Sequence, residues 1–295
     1  MDIHYQISTN IRFNHVIEKT ERFTFPPIRK KIQTMPIVEP YTGVWATNEK
    51  NQMLGLILAD HKNNEYSELF SFYVVPGQRN KGIGTQLLSL LETALREQGI
   101  KWIQSRYRSD WPGKPVIEKM LISANWEKPF LMRWIIEFDM SKFDQARWPD
   151  SKLPSDYSLF PWNELTASDR DEIDILLRKK EFPREFDPYQ HAQKIFLPGS
   201  SGLRYRGKII GWNIVYSLKA DTLEYNNLFI REDFRKLGHA LSLLHQSFGI
   251  QDRLKIPKAT WVINADNKTV MKFTEHIGGW ILSRKVEVMG CRKLL

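Results

Sequence analysis

Between Tyr41 and Val75 the apolar residues fall into three short runs, Tyr41 to Thr47, Met53 to Ala59 and Ser67 to Val75, parted by Asn48-Glu49-Lys50-Asn51 and by Asn63-Asn64. Runs of β-branched and aromatic residues bounded by turn formers build strands, so this stretch predicts an antiparallel meander. At Gly82 the period changes. Leu87, Leu88, Leu91 and Leu95 recur at helical intervals, which puts them on one face of a helix from about Gly82 to Gln98, with Gly99 as its stop. Trp102 to Ser105 predicts the next strand, Val116 to Ser123 a short helix before Trp126, and Leu131 to Phe138 a further strand. Ahead of Tyr41 the pattern is weak, and Pro26-Pro27 interrupts any long helix there.

Asp139 to Asp156 has no period and is punctuated by Trp148-Pro149-Asp150-Ser151 and Pro154-Ser155-Asp156, the composition of a domain boundary. The expected division is a first domain over 1–140, a linker over 141–156 and a second domain over 157–295. The second half repeats the plan of the first. A strand at Tyr157 to Pro161 and a helix at Ser168 to Lys180 precede β runs at Leu203 to Tyr205, Ile209 to Ser217 and Leu223 to Ile230. A helix carrying Leu241, Leu243, Leu244 and Phe248 follows, then a strand at Ala259 to Ile263, a helix at Lys268 to His276 and a last run from Trp280 to Met289. Three strands, a loop, a helix, a strand, a helix and a strand make an α+β domain with a mixed, mostly antiparallel sheet and one parallel crossover. The sequence predicts two of them.

The loop at the change of period is the most specific feature. Val74-Val75-Pro76-Gly77-Gln78-Arg79-Asn80-Lys81-Gly82-Ile83-Gly84 runs from a strand into the leucine-rich helix, and Ile230-Arg231-Glu232-Asp233-Phe234-Arg235-Lys236-Leu237-Gly238-His239-Ala240 does the same 156 residues later, counted from Arg79 to Arg235. Glycines allow a tight turn and a close backbone approach, and the first turn of the next helix offers unpaired N–H groups and a positive dipole end. Such a loop holds a pyrophosphate. It is neither the dinucleotide fingerprint nor a Walker loop.

The order V-x-P-x-x-R-x-x-G-x-G from Val74 to Gly84 resembles motif A of the GNAT superfamily of N-acyltransferases. The resemblance implies two tandem GNAT domains, an arrangement similar to that of mycothiol synthase, with acetyl-coenzyme A or another acyl-coenzyme A as acyl donor. It further implies coenzyme contacts from Val74, Val75, Arg79, Asn80, Lys81, Gly82, Ile83, Gly84 and Thr85 in the first half. In the second half the corresponding contacts are Ile230, Arg235, Lys236, Gly238, His239, Ala240 and Asn267. The second copy departs from the pattern, with Glu232 in place of the proline and Ala240 in place of the last glycine.

Charge and cysteine content narrow the alternatives. The net charge of +9 admits a polyanionic partner, but Arg29-Lys30-Lys31 and Arg178-Lys179-Lys180 are short runs without a zinc-finger or RNA-reading motif, so nucleic acid is not the expected ligand. With Cys291 as the only cysteine no internal disulfide is possible, and a bystander thiol is the simpler reading. No run is apolar enough to span a bilayer and the first residues do not read as a secretory signal, which makes the cytoplasm the expected location. No HExxH or Cys/His cluster points to a metal.

Acyl transfer to an amine needs a proton acceptor, donors for the carbonyl oxyanion, and an acid for the leaving thiolate unless it departs unaided. Glu68 and Glu224 each lie eleven residues ahead of their loop arginine, where some GNAT enzymes place a general base. An exposed carboxylate near 4.3 taking a proton from an amine near 10.4 faces about 8 kcal/mol, so burial has to raise it. The resemblance also implies oxyanion donors among backbone amides near Val74 and Ile230. The family's usual tyrosine acid is missing. Thr274 and Leu121 stand in its place, leaving Tyr73, Tyr107, His276 or unaided departure of the thiolate. The expected activity is direct acyl transfer from acyl-coenzyme A to a small-molecule or peptide amine in a ternary complex. The alternative is a degenerate acyl-coenzyme A binder or partner-recognition protein, and the sequence does not choose between the two halves.

Overall fold

A computed structural model describes residues 2–9, 41–144, 153–279 and 281–295, and the side chains of all of these except Lys236 and Leu237. Pro26-Pro27, the basic run at Arg29-Lys30-Lys31, Trp148-Pro149-Asp150-Ser151 and Trp280 lie outside the described residues. The chain forms two compact units that are not continuous in sequence: unit 1 is Met1–Met132 with Glu287–Leu295, and unit 2 is Arg133–Val286. Division in chain order at 141–156 differs from this because each half gives up its last strand.

In unit 1 the strands β1 (Ile3–Ser8), β2 (Tyr41–Asn48), β3 (Met53–His61) and β4 (Tyr66–Val74) form the antiparallel meander. Helix α1 (Ile83–Glu97) then crosses over to β5 (Trp102–Arg108), which lies parallel to β4. The short helix α2 (Lys114–Ser123) follows, and β6 (Phe130–Asp139) enters unit 2 at Arg133. The far edge of the unit 1 sheet is instead supplied by the C-terminal strand β12 (Leu282–Leu294), whose Val288 to Leu294 pair antiparallel with Arg108 to Trp102.

Unit 2 has the same order. β7 (Tyr157–Pro161), β8 (Ser201–Tyr205), β9 (Lys208–Lys219) and β10 (Thr222–Ile230) run antiparallel, β11 (Lys258–Asn264) joins β10 in parallel, and Arg133 to Asp139 of β6 close the edge against β11. Helix α3 (Ala167–Arg178) lies between β7 and β8 in sequence, α4 (His239–Arg253) between β10 and β11, and α5 (Lys268–Gly278) between β11 and β12. This is the predicted α+β architecture, twice.

Burial follows the periodicity. Ile83, Leu87, Leu88, Leu91 and Leu95 of α1 are buried against Val44, Ala46, Leu54, Ile57 and Leu69 of the sheet. Gly55 permits this approach, since a Cβ there would stand 2.9 Å from Leu87 Cδ1 and 3.1 Å from Tyr73 O. On α4, Ser247 and Gln251 occupy the places of Leu91 and Leu95. Ser247 donates to Gly199 O at 2.7 Å, and Gln251 accepts from Tyr225 OH at 2.9 Å, so a buried polar network replaces leucine packing. The strand β1 was not evident from the pattern. It is an edge strand in which only Ile3, Tyr5 and Ser8 are partly covered, too short and too irregular for a signal.

Unit 2 also carries a buried electrostatic clamp. Thr166 caps α3 in a capping box with Asp169, and Arg204 reaches Asp169 at 3.0 and 2.5 Å while lying over the Phe160 ring at 3.5 Å. Burial works to raise the Asp169 carboxyl, but the hydrogen bonds from Arg204 and Thr166 outweigh it and hold the pKa at about 2, down from 3.8. A depressed carboxylate stabilises the fold above its unfolded pKa, and that contribution is lost as pH falls through the folded value. Wild type should therefore lose about 2 kcal/mol relative to Asp169→Asn as pH falls from about 4 to 2. Urea unfolding of both proteins across that range measures it, and a pH-independent difference would refute the assignment.

Candidate functional site

In both units the parallel central strands part company. The β4–β5 ladder holds from Tyr66/Trp102 to Leu69/Ser105 and then stops, although both strands continue. The β10–β11 ladder likewise ends at Glu224/Thr260. Each divergence coincides with a β-bulge, at Phe70 where Leu58 pairs Ser71 and Ala59 pairs Leu69, and at Asn226 where Val215 pairs Tyr225 and Ile214 pairs Asn227. A bulge twists its strand away from the neighbour, which opens a gap ahead of the loop.

The first loop is shaped for an anion. A single 3-10 turn at Pro76–Gln78 leads to Asn80 with φ +61° and Gly82 with φ +81°, two left-handed residues flanking Lys81. The first helical bond of α1 is Gln86 N–H to Gly82 O at 3.0 Å, and among the described residues no protein acceptor is paired with the amides of Ile83, Gly84 and Thr85. Alternating backbone handedness turns successive amides inward and makes an anion nest. Arg79 and Lys81 stand exposed beside it, and no acid occurs from Val75 to Thr85. Arg79 Nε donates to Val74 O at 3.0 Å, and its guanidinium lies 5.8 Å from the Tyr73 ring.

The second loop shares the staple but not the nest. Arg235 Nε donates to Ile230 O at 2.9 Å, the same contact five residues back. Its backbone, however, is wound into a 3-10 helix from Glu232 to Leu237, so these amides turn into the helix, and Gly238 is the one residue of the loop with positive φ, +75°. Glu232 and Asp233 add negative charge at its start. Phe234 is packed on Tyr157 and Tyr205. His239 turns inward: it is buried at the position of Ile83, 4.4 Å from the Tyr157 ring, and its Nδ1 has no partner among the described residues. Burial lowers its pKa. Ala240 packs with Ile230 and Leu243.

The two glutamates stand at matching places, each in the ladder just before the bulge, with different company. Glu68 pairs with Gln104 across the ladder and is gripped by Nε and Nη2 of the Arg106 guanidinium, one on each carboxylate oxygen. Glu224 pairs with Thr260 and accepts from Asn226 Nδ2 at 3.2 Å, and among the described residues no cation pairs with it. The position that matches Arg106 is Val262, 44% exposed.

Backbone polarity at the gap follows from the ladder. Val75 N–H is committed to Leu54 O at 2.9 Å and Arg231 N–H to Ile210 O at 2.8 Å. Strand alternation then turns the amides of Val74 and Ile230 the other way, towards the gap. Asn267 is the N-cap of α5, accepting from Val270 N–H at 3.1 Å, and Thr274 is fully buried, donating to Val270 O at 2.7 Å. Leu121 is core. Tyr107 donates to Glu118 at 2.9 Å, and burial followed by that bond raises its pKa far above the usual value. His276 is exposed on α5. Trp212 and Phe182, aromatic residues of unit 2, pack together in its core.

Two features escaped the sequence reading. Gly55 and Gly211 stand opposite Val74 and Ile230 and share the 156-residue offset of the loops, a repeat that was available to find. A Cβ on Gly211 would lie 2.6 Å from Phe229 O. Arg106 carried no spacing signal, because its link to Glu68 exists only through strand pairing. Among the described residues, no group of three His, Cys, Asp or Glu is gathered to hold a metal, and no helix is long and apolar enough to cross a membrane.

Residues 12–109 match the Acetyltransferase (GNAT) family. No curated protein matches the chain. Among solved structures, the chain is similar to a tandem GNAT protein from the clavulanic acid biosynthesis pathway, with TM-score 0.66 and 11% identity over 99% of this chain and 98% of the other. It is also similar to a GCN5-related N-acetyltransferase from Sphaerobacter thermophilus, with TM-score 0.63 and 12% identity over 98% and 95% of the two chains. A GNAT-family acetyltransferase from Colwellia psychrerythraea gives TM-score 0.57 and 9% identity over 97% and 99%. At these identities the likeness is one of fold.

Proposed function

We propose, for a chain that has the tandem GNAT fold and matches the Acetyltransferase (GNAT) family over residues 12–109, that it transfers an acetyl or other acyl group from acyl-coenzyme A to an amine, and that unit 1 holds the coenzyme. The observation that carries this is the contrast between the loops. The first presents two left-handed residues and two cations with no acid around its open helix-entrance amides, whereas the second has one left-handed residue, winds Glu232 to Leu237 into a 3-10 helix and sets acids beside its cations.

In this reading Arg79, Lys81 and the amides from Asn80 to Thr85 bind the pyrophosphate, with Gly82 supplying the turn and Gly84 the close approach. The pantetheine arm enters the gap between β4 and β5. The amide of Val74 donates to the carbonyl oxygen as negative charge develops there. The amine nitrogen attacks the thioester carbon, the C–S bond breaks, and the ammonium proton passes by way of Glu68 to water. Coenzyme A leaves as its thiolate without help, since a thiol near 8.5 is a tolerable leaving group. The second loop, with Ile230, Arg235, Lys236, Gly238, His239, Ala240, and Glu224 and Asn267 nearby, is assigned to the fold of unit 2 rather than to coenzyme binding.

Thiol release from acetyl-coenzyme A with a panel of amines tests the proposal. The expected result is release only when an amine is present, with no mass increase on the protein. Stoichiometric release without amine would indicate an acyl-enzyme, and binding without any turnover would favour a degenerate coenzyme-binding protein.

A further inference from the structure

The face of the unit 1 sheet opposite α1 carries acids and guanidinium groups side by side. Asp60, Glu68, Gln104 and Arg292 stand in one transverse row across β3, β4, β5 and β12, as the pairings Asp60↔Glu68, Glu68↔Gln104 and Gln104↔Arg292 require. Lys62 pairs with Asp60, and Arg106 with Glu68. Arg292 donates to Gln104 Oε1 at 2.9 Å and lies over the Phe130 ring at 4.7 Å and the Trp102 ring at 5.4 Å, and among the described residues it has no carboxylate partner. Tyr66 stacks on Trp102 at 4.0 Å. Its phenol is raised, first by burial and then by Glu68, against Arg106 and Arg292, so these charges converge on one spot.

The pair nearest the gap is asymmetric. The Glu68 side chain is 11% exposed and that of Arg106 35%, and Arg106 lies just past the last paired residue of β5, where the strands part. Unit 2 has nothing comparable: Tyr216, Glu224, Thr260 and Glu137 form its row, and Val262 replaces Arg106. The arginines therefore belong to the unit whose loop fits the coenzyme, and the fold is built without them in the other.

We infer that the acceptor is an amine with a carboxylate close by, an amino acid or amino-acid-like compound, whose carboxylate is taken by the exposed forks of Arg106 and Arg292 while its amine faces Glu68. The inference rests on the acyl-transfer reading above. Guanidinium binds a carboxylate bidentately, and a substrate carboxylate on Arg106 draws that group off Glu68. Glu68 is thereby released to accept the ammonium proton only when an acceptor of this class is in place. The same exchange explains a base clamped by a cation in the resting protein.

The test compares thiol release from acetyl-coenzyme A for a panel of free amino acids and their carboxamides, with the full chain and its Arg106→Gln, Arg106→Lys and Arg292→Gln variants. The inference expects the free acids to exceed the amides at least tenfold in kcat/KM, the ratio to fall towards one in Arg106→Gln, and the loss to reside in KM for the acids alone in Arg292→Gln. Arg106→Lys, which keeps the charge but not the fork, should fall between. Melting curves of the variants separate a lost contact from a lost fold, and amino acid binding to the coenzyme A complex by calorimetry gives the same ordering without turnover. Amides used as well as acids, or a ratio untouched by Arg106→Gln, would overturn the inference while leaving acyl transfer intact. Absence of turnover with every amine, despite acetyl-coenzyme A binding, would overturn both.

Discussion

Lys293→Met should cost about 3 kcal/mol and lower the melting temperature of unit 1 by roughly 10 °C, and deletion of residues 287–295 should prevent unit 1 from folding. The C-terminal strand is the outer partner of β5 over seven registered positions, so its loss exposes the ladder edge of the central parallel pair. Its inward face is sealed into the core. Cys291 is fully buried with Leu121 and Trp126, and its thiol donates to Glu127 O at 3.0 Å. Lys293 Nζ meets Glu92 at 2.6 Å and Ala124 O at 2.7 Å, while Trp126 Nε1 donates to the other oxygen of Glu92 at 2.7 Å.

Glu92 is 7% exposed, so removing Lys293 leaves a carboxylate in the core with one neutral donor. Breaking a buried pair on one side costs about 3–5 kcal/mol, whereas replacing both partners with apolar groups costs far less. The double variant Glu92→Leu/Lys293→Met should therefore recover much of the loss. A single variant that melts within a degree or two of wild type would contradict the account of the exchanged strand.

The second large effect is expected at Gly82. Its φ of +81° is a conformation that side chains with a Cβ disfavour by roughly 1–2 kcal/mol, and a β-branched one by more. No atom lies within 4 Å of the Cβ position, so the damage is to backbone shape rather than packing. Gly82→Val should turn the amides of the nest away from their common focus and reduce acetyl-coenzyme A affinity at least a hundredfold. Gly238→Val imposes similar strain at φ +75°, in a loop without a nest, and should leave affinity within twofold of wild type. Thermal melting of both variants controls for unfolding. Gly84→Ala is a gentler contrast: its Cβ would meet Phe72 and Met120 at 3.5 and 3.6 Å, ordinary contact distances.

Most strands and all five helices among the described residues could be read from the chain because one face of each is apolar at the right period. Leu87, Leu88, Leu91 and Leu95 are the clearest case, and all are buried. The repeat was legible because turns leave fixed residues behind: glycine where φ is positive and arginine where a side chain staples the strand end. The exchange of β6 and β12 was not legible. An edge strand carries the same alternation whichever sheet it joins, and nothing in Phe130 to Asp139 or Leu282 to Leu294 names the partner.

The candidate base shows a similar limit. The spacing of Glu68 from Arg79 singles it out as the candidate base, and it stands at the start of the gap, but the cation that grips it comes from a different strand, thirty-eight residues on. The contrast between the loops was half visible. Glu232 for proline and Ala240 for glycine could be seen as departures, yet the 3-10 winding and the burial of His239 depend on Tyr157 and Tyr205, which lie far off in sequence.

Calorimetric titration of the intact chain with acetyl-coenzyme A tests the central assignment most directly. The account predicts one site per chain, abolished by Gly82→Val and retained by Gly238→Val. Two equivalent sites, or a single site that survives the first substitution and vanishes with the second, would contradict it.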